Sequence, residues 1–257
     1  MLVKTLELRL ANNVLIPQLG FGTWGLGRSG TKAILHALRA GYRHLDTADN
    51  YGTHGNIAEA IRLSGVPRAD LFITTKLWTN NLSAKRVGPA VDRFLNELNT
   101  DYIDLLLIHW PGNRPVAETL GAMDAARQAG KVRTLGVSNF DVELMQASLD
   151  TGFPVVNNQI EYNLNHRPDE VVAFCLDRQV TVTAYSPLER GTHDQERLLA
   201  EIARKYAATR EEVLLNWLLQ KGLIVIPRSA DPAHIESNFH VLAWSLHAEA
   251  GAQLDQA

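Results

Sequence analysis

Short apolar runs alternate with amphipathic stretches from residue 19 to about residue 241. The runs predict strands over 19–22, 43–46, 71–75, 103–108, 134–137, 155–160, 181–185 and 223–226. Several, such as Leu105-Leu-Leu-Ile108, are apolar without polar alternation, as expected of parallel strands covered on both faces. Between them lie helical patterns. Residues 83–98 start at a candidate N-cap, Ser83, and carry Val87, Val91, Phe94, Leu95 and Leu98 at helical spacing. Residues 209–220 open with Thr209-Arg-Glu-Glu212, a capping-box pattern, ahead of Val213, Leu214, Leu215 and Trp217. Gly41, Gly130, Gly152 and Gly222 fall where helices should stop.

Eight strands separated by helices predict an α/β chain folded as a (β/α)8 TIM barrel. A doubly wound open sheet is the competing solution, but nothing like Gly-x-Gly-x-x-Gly follows the first strand. Ahead of the barrel, 5–10 and 14–17 flank Ala11-Asn12-Asn13 and predict a hairpin, about 5–17, that closes the barrel's bottom. No linker, low-complexity tract or second domain stands out, so residues 1–257 read as a single barrel domain with the barrel over about 19–241. The short polar tail after about Trp244 is expected to fray.

Composition narrows the function classes. The 257 residues suit one large barrel or two smaller domains. Hydrophobic residues make up 46% and charged residues 21%, which is ordinary for a folded chain, and a net charge of −3 supplies no basic surface for nucleic acid. No apolar run has membrane-spanning length, and the first residues lack a signal-peptide core. The single cysteine, Cys175, cannot form an intrachain disulfide and sits in an apolar run that reads as buried packing. The expected home is the cytoplasm, and the expected state a monomer without a nucleic-acid or membrane partner.

Four polar residues then stand out, each at or just past a strand-like run: Asp46 and Tyr51 in His44-Leu-Asp-Thr-Ala-Asp-Asn-Tyr51, Lys76 after Leu71-Phe-Ile-Thr-Thr75, and His109 after Leu105-Leu-Leu-Ile108. In a barrel, strand C-terminal ends and the loops after them form the active face, and adjacent strands bring these four to one rim. An unpaired ammonium at a buried strand end is costly, so Lys76 needs a carboxylate, which Asp46 supplies. A phenol with an ordinary pKa of about 10 is a poor acid at neutral pH, and a neighbouring ammonium lowers that value. Tyr51 is then the general acid of a carbonyl reduction, and His109, as a neutral imidazole, orients and polarises the carbonyl oxygen.

The chain resembles the aldo-keto reductases. The matching segments are Gly20-Phe-Gly-Thr-Trp24, the run from His44 to Tyr51, Ile73-Thr-Thr-Lys-Leu-Trp78, Asp101 through Pro111, Gly136-Val-Ser-Asn-Phe140, Asn158-Gln-Ile-Glu-Tyr162, Ala184-Tyr-Ser-Pro-Leu188 and Ile226-Pro-Arg-Ser229, in family order over nearly the whole chain. The family's catalytic Asp, Tyr, Lys and His fall on Asp46, Tyr51, Lys76 and His109. In look the chain is nearest to bacterial reductases of methylglyoxal and of 2,5-diketo-gluconate.

The resemblance implies a nicotinamide dinucleotide, NADPH in the first place with NADH as a second candidate. Ser138, Asn139 and Gln159 match the residues that hold the carboxamide, and Tyr185 matches the ring stacked on the nicotinamide. Ser186, Pro187 and Leu188 match the pyrophosphate strip, and Gly22, Thr23, Trp24 and Asp46 are also expected to bind the cofactor. Ile226, Arg228, Ser229 and Ala230 follow the last strand, where an arginine suits a ribose 2′-phosphate. Asn238 matches the adenine-binding asparagine. His234 stands where an arginine is usual, so the grip on the 2′-phosphate is expected to be weaker. Trp24, Tyr51, Trp78, His109 and Trp110 form the expected substrate wall, an apolar slot for small or extended carbonyls such as α-dicarbonyls and keto-sugars. Thr53-His54 and Glu189 depart from the family pattern and have no account at this level. Three other readings remain: the same chemistry run as alcohol oxidation, a redox-sensing nicotinamide-binding subunit with little turnover, and a metal-dependent barrel hydrolase using His44, Asp46 and His109. The last lacks further ligands at strand ends five to eight, so no metal is expected.

Overall fold

In the computed structural model of the protein, residues 6–189 and 191–257 are described. The chain opens with an antiparallel hairpin, β1 (Glu7–Arg9) and β2 (Leu15–Pro17). The barrel strands are β3 (Gly20–Gly22), β4 (His44–Asp46), β5 (Phe72–Leu77), β6 (Ile103–Ile108), β7 (Val132–Ser138), β8 (Val155–Glu161), β9 (Thr181–Tyr185) and β10 (Ile224–Val225). Around and after them run α1 (Gly30–Ala40), α2 (His54–Ser64), α3 (Ala84–Leu98), α4 (Val116–Gln128), α5 (Val142–Asp150), α6 (Asp169–Asp177), α7 (His193–Tyr206), α8 (Arg210–Gln220), α9 (Pro232–His240) and α10 (Ala248–Gln256).

Strands β3 to β10 pair in sequence order, every neighbour parallel. The ring closes because Leu19 bridges Val225 in parallel, Val225 N–H donates to Gln18 O at 2.8 Å, and Gly22 N–H donates to Pro227 O at 3.0 Å. Gly22 makes this seam close: a Cβ there would stand 2.8 Å from Ile226 O. The expected eight-stranded (β/α)8 barrel is therefore the fold.

The hairpin plugs the bottom as expected. Leu10 and Ile16 are buried with Phe72, Leu105, Leu107, Val156 and Ile224 inside the barrel. Position 5, the expected start of the hairpin, lies outside the described residues. A second core fills the space between sheet and helices, where Leu45, Ile73 and Leu106 meet Ile34, Leu38, Val91 and Phe94. Thr209 and Glu212 form the expected capping box on α8. Ser83 precedes α3 as expected, but its side chain caps nothing. Cys175 on α6 is fully buried, with the Asn158 amide 3.9 Å from its sulfur, and burial pushes its thiol up to about 11.

The tail corrects the expectation of fraying. It forms α10, whose Ala250 and Leu254 are buried. Its Asp255 accepts hydrogen bonds from the Trp217 indole at 2.9 Å and the Lys221 ammonium at 2.7 Å, and Arg167 donates to Leu254 O at 3.1 Å. Polar composition hid a short apolar stripe that packs toward α7. No described helix is long and apolar enough to cross a membrane.

Candidate active site

Side chains on a strand alternate between the two faces, so one inward residue fixes its neighbours two positions away. His44 and Asp46 on β4 face Thr74 and Lys76 on β5: His44 Nε2 lies 3.0 Å from Thr74 Oγ1, and Lys76 Nζ lies 2.6 Å from Asp46 Oδ1. The same alternation puts Ser138, Gln159 and Tyr185 at the top of β7, β8 and β9. Gln159 Nε2 donates across the barrel to Asp46 Oδ2 at 2.8 Å. Strand β5 runs to Leu77, so Lys76 lies within it, not beyond its end.

Asp46, Ser138, Gln159 and Tyr185 line a cavity of about 550 Å³ at the C-terminal ends of the strands. Its wall includes Asp46, Tyr51 and His109, the rim indoles Trp24, Trp78 and Trp110, and Ser138, Asn139, Gln159 and Tyr185. Gly22, Thr23, Ser186, Pro187, Leu188, Ile226 and Arg228 complete the expected nucleotide side. Lys76 lies beneath the wall, 0% exposed. Ser229, Ala230, His234 and Asn238 are outside the lining, on the loop and helix α9 after β10; His234 is exposed and Asn238 buried. Asn50, Pro227 and Glu189 line the cavity and were not among the expected site residues. Asn50 escaped because it is one polar residue among several in a loop. The Gln159–Asp46 bond escaped because the two positions are 113 residues apart.

The Lys76 ammonium has three partners: Asp46 Oδ1 at 2.6 Å, Thr47 O at 2.9 Å and the Tyr51 hydroxyl at 3.4 Å. Burial alone would lower its pKa, but the carboxylate and phenol more than offset that, and its pKa is raised. Lys76 is thus a cation at neutral pH. Tyr51 corrects the sequence reading. Its pKa is raised, not lowered, because burial outweighs the nearby ammonium and the Asp46 charge adds to the rise. The ammonium still acts in the expected direction, and removes part of the penalty that burial places on phenolate.

The His109 ring meets Tyr51 edge-on at 5.6 Å and Trp78 at 5.0 Å. Burial, helped by the Lys76 charge, pushes its pKa down to about 3, so it is neutral. Its Nδ1 is sealed from solvent with no partner among the described residues. An unmatched buried lone pair is less costly than an unmatched buried N–H, which favours the tautomer with hydrogen on Nε2.

The expected nucleotide side is tied together by a run of hydrogen bonds. Tyr185 OH donates to Asn139 Oδ1 at 2.9 Å, Asn139 Nδ2 donates to His109 O at 2.9 Å and Ser138 Oγ at 3.1 Å, and Ser138 Oγ donates to Gln159 O at 2.7 Å. The Gln159 side-chain oxygen, Oε1, has no hydrogen-bond partner among the described residues and is an acceptor suited to a carboxamide N–H. Asn139 and Ser186, both lining residues, have positive φ values of 63° and 48°, backbone strain of the kind that collects at ligand sites. Among the described residues no group of three or more His, Cys, Asp or Glu side chains is placed to hold a metal ion.

The departure at Thr53-His54 acquires a structural account. Thr53 Oγ1 lies 2.9 Å from Thr23 Oγ1 and 2.7 Å from Thr47 Oγ1. His54 is buried between Thr75 Oγ1 at 2.8 Å and Glu97 Oε2 at 2.6 Å.

Comparison with known proteins agrees with this geometry. The sequence model of the aldo/keto reductase family matches residues 18–257. The chain is 36% identical to the methylglyoxal reductase DkgB of Escherichia coli O157:H7 over 240 residues, 91% of this chain and 90% of that protein. It is 34% identical to the 9,11-endoperoxide prostaglandin H2 reductase of Trypanosoma cruzi, across 96% of this chain and 89% of that protein. Among solved structures, an aldo/keto reductase from Brucella melitensis superimposes with a TM-score of 0.94 at 35% identity, covering 98% of this chain and 99% of its own. A Bombyx mori aldo-keto reductase in complex with NADP does so with a TM-score of 0.90 at 32% identity, covering 98% and 92%.

Proposed function

The chain belongs to the aldo/keto reductase family, and from that premise we propose that Tyr51 is the general acid of its reaction, with Lys76, Asp46 and His109 as its partners. The family-level activity is NADP(H)-dependent reduction of carbonyl groups, so the chain is an oxidoreductase. The observation that carries the assignment is the Lys76 ammonium, held 2.6 Å from Asp46 and 3.4 Å from the Tyr51 hydroxyl under the cavity floor.

Ser138, Asn139 and Gln159 would hold the carboxamide of a reduced nicotinamide, Tyr185 would pack on its ring and Arg228 would meet the phosphates; when bound, that cofactor would supply the hydride. His109 Nε2–H donates to the substrate oxygen and fixes the carbonyl for attack. As negative charge grows on that oxygen, Tyr51 hands over its hydroxyl proton. A raised pKa suits this, because the phenol stays protonated at neutral pH and is still far more acidic than the alcohol that forms. Lys76 stabilises the phenolate left behind, and Asp46 holds Lys76 in place. The reverse sequence, with Tyr51 as base, oxidises an alcohol through the same residues.

The substrate class follows from the wall. Three indoles give an apolar slot, and Asn50 adds one polar group beside Tyr51. Small α-dicarbonyls and keto-sugars fit it, in line with relatives named as methylglyoxal and glyoxal reductases. His234 in place of the usual arginine leaves the 2′-phosphate more weakly held, so NADH remains a second cofactor.

The decisive experiment is Tyr51→Phe. Turnover of methylglyoxal should fall at least about a hundredfold, while the fluorescence-titrated affinity for NADPH stays within about twofold. Near-normal turnover would overturn the assignment.

A further inference from the structure

We propose that His54 is a positioning residue for the reduction, the node of a polar belt behind the cavity that fixes the distance between Lys76 and Tyr51. The proposal rests on the reading of Tyr51 as the acid and goes beyond it.

Tyr51 and Lys76 come from separate segments, a 3-10 turn over Asp49–Tyr51 and strand β5. Lys76 is the one hydrogen-bond partner of the Tyr51 hydroxyl among the described residues, at 3.4 Å, so little at the contact itself holds the two segments in register. The belt does this from behind. Asp49, the first residue of the turn, accepts from Asn81 at 2.5 Å and from Arg93 at 2.5 Å. Arg93 lies 3.6 Å from Glu97, one turn along α3. Glu97 pairs with His54 Nδ1 at 2.6 Å, and His54 Nε2 meets the hydroxyl of Thr75, the residue before Lys76, at 2.8 Å. The chain of contacts therefore begins at the turn that carries the acid and ends on the strand that carries the cation.

The imidazole is suited to the node. With Nδ1–H donating to the Glu97 carboxylate, Nε2 is left to accept from Thr75, so a neutral ring satisfies both neighbours. The ring also packs on Phe94 at 5.0 Å, which fixes its plane.

The preceding residue reinforces the strap. Thr53 is the N-cap of α2, yet its hydroxyl does not cap the helix. It joins Thr23 and Thr47 instead. Thr23 Oγ1 donates to Asp46 O at 2.9 Å, and Thr47 O accepts from the Lys76 ammonium at 2.9 Å. Thr53 and His54, two of the residues that depart from the family pattern, thus tie β3, β4, β5 and the Tyr51 turn at one place.

A residue that only stabilises the fold and one that sets the acid–cation distance differ in what they move. In His54→Ala, kcat for methylglyoxal should fall roughly tenfold, because small misplacements are expensive in rate. NADPH affinity should stay within about twofold. The basic limb of the kcat–pH curve should move upward, since a phenol farther from the ammonium holds its proton more tightly. His54→Gln, which keeps an amide donor and acceptor, should recover part of the rate. Glu97→Ala removes a half-exposed link and should act in the same direction even if His54→Ala does not fold. An unmoved pH limb in Glu97→Ala would overturn the proposal, as would a fall in NADPH affinity parallel to kcat. Tyr51→Phe is measured alongside. If that variant keeps its turnover, the reading of the acid falls and the belt with it. If it is inactive while the belt variants behave as the parent, only the belt falls.

Discussion

Lys76 carries a full charge with no exposed surface, and its neighbours are the reason. Removing the cation leaves Asp46 buried with Gln159 as its remaining side-chain partner. Lys76→Met should therefore abolish turnover and also lower unfolding free energy by about 3–5 kcal/mol, read from urea midpoints. The double variant Asp46→Asn/Lys76→Met should regain much of that stability and stay inactive, and a double as unstable as the single would mean the pair is not the source. At this scale the sequence was informative for one reason: a lysine in an apolar strand run is costly unless paired, so it announces its partner. The same logic could not reach Asn50 or Glu189, because an exposed polar residue in a loop carries no such penalty. Nor could it give the net direction of the Tyr51 shift, which depends on how deeply the fold buries the ring.

At the scale of elements, apolar periodicity located the strands to within a few residues, because each strand is buried on both faces. Alternation inside the barrel was less visible. Leu105 and Leu107 face inward and Leu106 outward, yet all three are apolar. The C-terminal helix was missed because only Ala250 and Leu254 on it are buried, too few for a pattern in a polar stretch. The anchor makes a prediction. Leu254→Ala should destabilise the protein by about 2–3 kcal/mol in chemical unfolding, since it opens a cavity over the α7 and α8 face. A change under about 0.5 kcal/mol would mean that α10 does not stay docked. No tail residue lines the cavity, so kcat should be unaffected.

At the scale of the whole molecule, three histidines among the described residues are buried in surroundings that favour the neutral ring. Burial pushes His44 down to about 4 and His109 down to about 3, and it lowers His54 as well. Unfolded, each returns to about 6.5. Between the two values the unfolded chain binds the extra protons, so stability rises with pH there. Stability is present in full above about 6.5 and is lost as pH falls toward and through about 4, by up to about 1.4 kcal/mol per pH unit for each group. Melting temperature should fall steadily from pH 7 to pH 5, and His44→Gln, which has no proton to gain, should flatten the slope. An unchanged slope would show that His44 is not the group responsible.

One thiol, walled in behind α6 and β8, gives the folded chain an internal clock. An alkylating reagent finds no other sulfhydryl on the molecule and reaches this one only when the barrel breathes. The tempo of that single modification reports how often the ring of strands comes apart, whatever occupies its mouth.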